Sequence, residues 1–241
     1  MAVSMWSHDD SRVEGLSIEA RGSGIRTKRG GVFDRISFSA GPGDIIAICG
    51  PGGTGRTSLL LAVGGRMRLS CGELVIGDRS LPRSGPWVRA NSSVCPAPDI
   101  DPLVDNMRVS EELRRAELLL RPSDRRPYER NELLDLVGFE ASQRDLVGDL
   151  RQADRTRLRL VLGLVARVPL IILDDLGDQV PAAGHEVLWR AVRTCATATG
   201  ATIIASTLES EPARGVADHV VLIDAPDLAL PEADAPDVGA A

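Results

Sequence analysis

Apolar and polar positions change period several times along the chain, and each change marks an element. Leu16–Ala20 and Ile36–Ser39 alternate apolar with polar, the period of a half-buried strand, and Gly72–Gly77 is a short apolar run bounded by glycines. Residues 109–120, VSEELRRAELLL, space leucines among charges as a surface helix does, and Tyr128–Val137 suggests a second helix. Asp154–Val165 is leucine-rich, with Arg155, Arg157 and Arg159 interleaved. Three runs are apolar at successive positions without alternation: Ile45-Ile-Ala-Ile-Cys49 after Asp44, Leu170-Ile-Ile-Leu173, and Ile203-Ile-Ala205 within Ala201–Ser206. A strand without a polar side needs both faces covered. With helices between such strands, the chain is expected to be α/β, with a mainly parallel sheet covered by helices. Its 241 residues suffice for one domain with small subdomains, and residues 1–14 and the Ala/Asp/Pro-rich 225–241 are expected to be disordered tails.

The first apolar run leads into Gly50-Pro51-Gly52-Gly53-Thr54-Gly55-Arg56-Thr57-Ser58. Four glycines between a strand and a helix let successive N–H groups converge on a polyphosphate, and the helix N-terminus adds its partial positive charge. The spacing is that of GxxxxGK[ST], with Arg56 where the motif has Lys and Thr57 supplying the hydroxyl for Mg²⁺. Residues 50–58 are therefore the expected nucleotide-binding segment, against the plainer reading of a glycine-rich strand-to-helix turn. A carboxylate is needed near Thr57, and the end of a neighbouring parallel strand is the natural place for one. Asp174 is the expected second metal ligand. Asp175 is the expected catalytic group, holding the attacking water. A helix N-cap is the alternative use of the pair.

Charge and cysteine content narrow the function. With 28 Lys plus Arg against 34 Asp plus Glu, the net charge of −6 gives no general electrostatic reason to bind nucleic acid. The sequence contains no run of about 18 apolar residues and no leader pattern at its start, so a cytoplasmic protein is expected. Cys49, Cys71, Cys95 and Cys195 are far apart and read as reduced, mostly buried residues. His185 and His219 lack metal-ligand spacing and read as structural or surface positions.

Over about residues 15–224 the chain resembles the ATP-binding cassette family, the nucleotide-binding subunits of ABC transporters. The likeness rests on the glycine loop, Leu173-Asp174-Asp175, Gly43–Ile48, Cys71–Gly77, Asp101–Leu113, Glu132–Gly138, and Arg157-Leu-Arg-Leu followed by Ala166-Arg-Val-Pro169. It implies a P-loop NTPase with a small antiparallel β subdomain and a helical subdomain at about residues 98–160. It also implies Mg-ATP as ligand, dimerisation with another cassette of the same or a different kind, and transmembrane transporter subunits as partners. The protein would then sit at the inner face of the membrane, with Ala97–Asp105 and the following helices in contact with the membrane subunits.

Several positions depart from the family pattern. Leu150-Arg151-Gln152-Ala153-Asp154 stands where the family has LSGGQ, the segment that meets the opposite subunit's γ-phosphate; Arg151 and Gln152 cannot offer the same compact N–H cradle, and Asp154 is expected to add a negative charge there. Ala97 holds the position of the Q-loop glutamine, Pro181 that of the D-loop aspartate and Leu208 that of the switch histidine. Asp175 replaces a glutamate and is one methylene, about 1.5 Å, shorter. Near Gly24-Ile25 there is no aromatic residue to stack the adenine. The expectation is an ATP-binding transporter subunit with weak hydrolysis. A non-hydrolysing regulatory or structural module is the first alternative, and a soluble P-loop protein acting on nucleic acid or a small-molecule kinase the second.

Overall fold

The computed structural model describes residues 12–27, 30–98, 100–120 and 128–224. In chain order the elements are β1 (Ile18–Thr27), β2 (Gly30–Ala40), β3 (Ile45–Cys49), α1 (Arg56–Val63), β4 (Cys71–Ile76), β5 (Arg79–Ser80), α2 (Gly85–Ala90) and β6 (Ser92–Val94). These are followed by α3 (Val109–Leu118), α4 (Arg130–Leu136), α5 (Gln152–Leu164), β7 (Leu170–Leu173), α6 (Ala182–Thr199), β8 (Thr202–Thr207) and β9 (His219–Leu222). The expected tail 225–241 lies outside the described residues. So does most of 1–14, but Val13 is described, and its N–H donates to the Thr199 carbonyl at 2.8 Å.

Five strands form one sheet in the order β6-β7-β8-β3-β9, every neighbouring pair parallel. A second sheet, β2-β1-β4-β5, is antiparallel. The apolar runs explain the two-layer cover. Along β3, Ile45, Ala47 and Cys49 belong to one buried cluster and Ile46 and Ile48 to another, because successive side chains point to opposite faces. The same split divides Ile171 and Leu173 from Leu170 and Ile172 on β7. One face is covered by α3 to α6, the other by α1 and the antiparallel sheet. The α/β expectation holds. Burial also accounts for three of the four cysteines, which are free and buried, and raises the Cys49 thiol to about 11 and that of Cys95 to about 12; Cys71 is exposed.

The strands differ from the sequence reading where the period is broken. Alternation in β1 stops at Ala20 because its register slips after that residue against β2 and after Arg21 against β4, and the strand continues to Thr27 through Gly22 and Gly24. β6, with two serines in three residues, lacks the apolar run that marks its neighbours, whereas β9 has one, Val220-Val-Leu222, on a partly exposed strand at the sheet edge. α6 also went unread, although Leu188, Val192, Cys195 and Thr199 form a buried stripe at helical spacing.

Candidate functional site

The glycine loop leaves the carboxyl end of β3, where ligands sit in open parallel sheets. Its two ends are pinned by contact. At Gly50 a Cβ would stand 2.2 Å from the Ile223 carbonyl, and at Gly55, which has φ +89°, it would stand 2.5 Å from the Val32 carbonyl. Thr54 is buried and donates to the Pro51 carbonyl at 2.9 Å. Between these anchors, Gly52 and Gly53 have nothing within 4 Å of where a side chain would begin. The loop is thus fixed at its base and open along its rim. Helix α1 starts at Arg56 with no acidic residue in its first turn, so its N-terminal charge is uncompensated from within the helix.

The topology brings Thr57 and Asp174 together across 117 residues: the Thr57 hydroxyl donates to Asp174 Oδ2 at 2.6 Å. The other oxygen, Oδ1, accepts the Ser206 hydroxyl at 2.5 Å, and Ser206 Oγ in turn accepts the Asp175 N–H at 2.9 Å. Sequence reasoning left Ser206 as a strand end. Here it orients both aspartates. The helix-cap alternative for the pair has no helix to cap, since α6 begins at Ala182 after Pro181. A hydroxyl and a carboxylate facing one another are hard oxygen donors that fit Mg²⁺, which keeps few protein ligands and takes the rest from phosphates and water. Among the described residues no cluster of three or more His, Cys, Asp or Glu competes with them for a metal.

Arg56 differs from its sequence-based placement. Its side chain is nine-tenths buried and turned to the second aspartate, with Nη2 3.1 Å from Asp175 Oδ1, while Nη1 is buried without a hydrogen-bond partner. The cation and the expected catalytic carboxylate therefore neutralise one another. Asp175 has φ +49°, and burial, then the charge of Asp174, raises its pKa, with Arg56 opposing the rise. Beside this pair is a cavity of about 100 Å³ lined also by Asp178, His185, Thr207 and Leu208. Leu208, at the switch position, is 56% exposed. His185, read from sequence as structural, reaches the same cavity; its Nε2 is 2.8 Å from the Val180 carbonyl.

The segment aligned with the signature also needs correction. Asp154 is not a free negative charge facing a nucleotide. It is buried, hydrogen-bonded by Arg151 (2.8 and 3.1 Å) and Arg157 (2.9 Å), and it accepts the Glu140 N–H at 3.4 Å. Burial alone would raise its pKa, but the two guanidiniums outweigh it and hold the carboxyl low. Arg151 is further tied to Glu140. Gln152 donates to Gln179 Oε1 at 3.1 Å within the same chain, and Ala97 is buried.

The sequence profile of the family described as ABC transporter matches residues 33–176, which include both the loop and the aspartate pair. The chain belongs to the ABC transporter family. Among curated relatives, an Fe(3+) ions import ATP-binding protein of Streptomyces avermitilis is 29% identical over 197 residues, covering 80% of this chain and 56% of that protein. The Nod factor export ATP-binding protein I of Cupriavidus metallidurans is 27% identical over 195 residues, covering 80% and 63%. The chain thus spans a little over half the length of these relatives. Solved members of the family share the fold. cbiO1 from Clostridium perfringens, part of the ABC transporter complex cbiONQ, superposes with a TM-score of 0.71 at 16% identity, covering 86% of this chain and 84% of that one. A dimeric bacterial ABC transporter cassette gives 0.68 at 15% identity, covering 86% and 94%.

Proposed function

We propose that the protein is the ATP-binding subunit of an ABC-type transporter, binding Mg-ATP at Gly50–Ser58 with Thr57 and Asp174 as metal ligands. The observation that carries this reading is the 2.6 Å approach of the Thr57 hydroxyl to Asp174 beside an open glycine loop. Magnesium bound there would neutralise charge on the β- and γ-phosphates. The loop amides and the α1 N-terminus would hold the phosphates, and Ser206 would keep both carboxylates oriented.

Hydrolysis is expected to be weak, because the groups that would position water are missing or engaged. Asp175 is paired with Arg56, Leu208 offers no donor, and Ala97 no ligand. Losing one such transition-state contact commonly costs about 10² to 10³ in rate, whereas backbone amides and the metal carry much of the binding. The same pairing favours, as a second reading, a non-hydrolysing module with a regulatory or structural role.

Transmembrane subunits are the proposed partners, contacted through Ala97–Asp105 and a helical subdomain at about 98–160. These would hold the protein at the cytoplasmic face of the membrane. Among the described residues no helix is long and apolar enough to cross a membrane. Because Arg151 and Asp154 are tied within their own subunit, two copies of this chain would make two poor composite sites. A different cassette or the membrane subunits should be needed to close the site. Sedimentation velocity with and without Mg-ATP is expected to show a monomer in both. A tight ATP-induced homodimer with appreciable ATPase activity would overturn this assembly.

A further inference from the structure

Arg159 lies inside α5 and is only 7% exposed. Its guanidinium is divided between the segments that follow β6 and β7: Nε donates to the Pro96 carbonyl and Nη2 to the Asp174 carbonyl. Those carbonyls lie just past the point where β6 and β7 stop pairing, the last contact being the Cys95 N–H to the Ile172 carbonyl at 2.8 Å. The planar fork suits this place, because it can satisfy two diverging acceptors at once.

Filling space does not account for a cation here. Burial lowers the Arg159 pKa, and the charges of Asp174, Asp175 and Asp178 act against that lowering. Among the described residues Arg159 has no ion pair within 4 Å, so the burial cost is met by carbonyls and by carboxylates at longer range. A methionine would pack the same volume without that cost.

The two ends of the fork have different duties. Asp174 carries the carboxylate that meets Thr57. Pro96 opens the segment running to Asp105, which is fastened to the helices by Glu112 accepting the Val104 N–H (2.7 Å), by Arg155 with Asp105 (2.8 Å) and by Arg115 with Asp101 (3.5 Å). Ala97 has no polar side chain with which to reach the site. Arg159 is hydrogen-bonded to both regions.

We propose that Arg159 is a positioning residue that links the metal-binding carboxylate Asp174 to the 96–105 segment, so that Mg-nucleotide binding at the loop and ordering of that segment depend on one another. The proposal rests on the Mg-ATP reading of the site. ATP binding to the full chain would be measured by calorimetry with Mg²⁺ and with EDTA, for the wild type, Arg159→Met and Arg159→Lys. Hydrogen exchange over residues 96–105 would be followed in the same samples.

Expected for Arg159→Met is a loss of about tenfold or more in the gain that Mg²⁺ gives to ATP affinity, the scale on which outer partners of metal ligands act, with metal-free binding unchanged. Protection of 96–105 by Mg-ATP should vanish with it. Arg159→Lys keeps the charge but not the fork, and should retain thermal stability without regaining the Mg²⁺ response; it decides the matter if the methionine variant fails to fold. A wild-type Mg²⁺ response in a folded variant, or equal losses with and without metal, would overturn the proposal. A wild-type protein whose ATP binding ignores Mg²⁺ would overturn the site reading itself.

Discussion

Gly52→Asp is expected to abolish ATP binding while leaving the fold intact. The glycine has no neighbour within 4 Å of a new Cβ and no left-handed φ, so a side chain is accommodated there without strain. Its carboxylate would stand on the open rim of the anion cradle. Two unit charges about 4 Å apart at an effective dielectric of about 20 repel by about 4 kcal/mol, roughly a 10³-fold loss of affinity. Gly55→Asp is a poorer test, because the clash at 2.5 Å with the Val32 carbonyl and the φ of +89° would disturb the loop itself. Calorimetry with Mg-ATP, beside a thermal melt, checks the result. Wild-type affinity in a normally folded Gly52→Asp protein would show that the phosphates bind elsewhere.

Asp154→Ala is expected to destabilise the fold by about 3 to 5 kcal/mol, the usual cost of removing one partner from a buried ion pair. Arg157, with a side chain 9% exposed, would lose its 2.9 Å partner, whereas Arg151, at 66%, would turn to water. The effect has a pH signature. The folded carboxyl is held below its ordinary value, so its contribution is complete above the unfolded pKa of about 3.9 and is lost as pH falls through the lower folded value. Urea unfolding should therefore show a wild-type advantage at pH 7 that shrinks below about pH 4. An advantage of less than about 1 kcal/mol at pH 7 would mean that the network carries little stability, and one that does not change in acid would mean that the Asp154 charge is not its source.

These two positions illustrate what the sequence could convey. The loop between β3 and α1 was legible because a turn of this kind depends on backbone freedom and spacing, both written in residue type. β3, β7 and β8 were legible because strands buried on both faces have no polar period to confuse them. The approach of Asp174 to Thr57 followed from its place at the end of such a strand. The direction of Arg56 did not follow: spacing places a cation at the loop but does not choose between a phosphate and the Asp175 carboxylate 119 positions on. Asp154 was misread because its neutralisation depends on helix spacing to Arg157 together with a contact to Glu140 across a turn. Arg159 was visible as one of three interleaved arginines, but only the packing of α5 on β6 and β7 distinguishes it from Arg155, which pairs with Asp105 at the surface.

The central claim is a phosphate site that holds Mg-ATP and turns it over slowly. It is tested most directly by titrating the purified protein with ATP in Mg²⁺ and in EDTA while following phosphate release in the same samples. Expected is saturable binding that depends on Mg²⁺, with turnover well below about 1 per second, the lower end of the common enzyme range. Binding that is absent or indifferent to Mg²⁺, or turnover within the range of about 1 to 10³ per second, would contradict it.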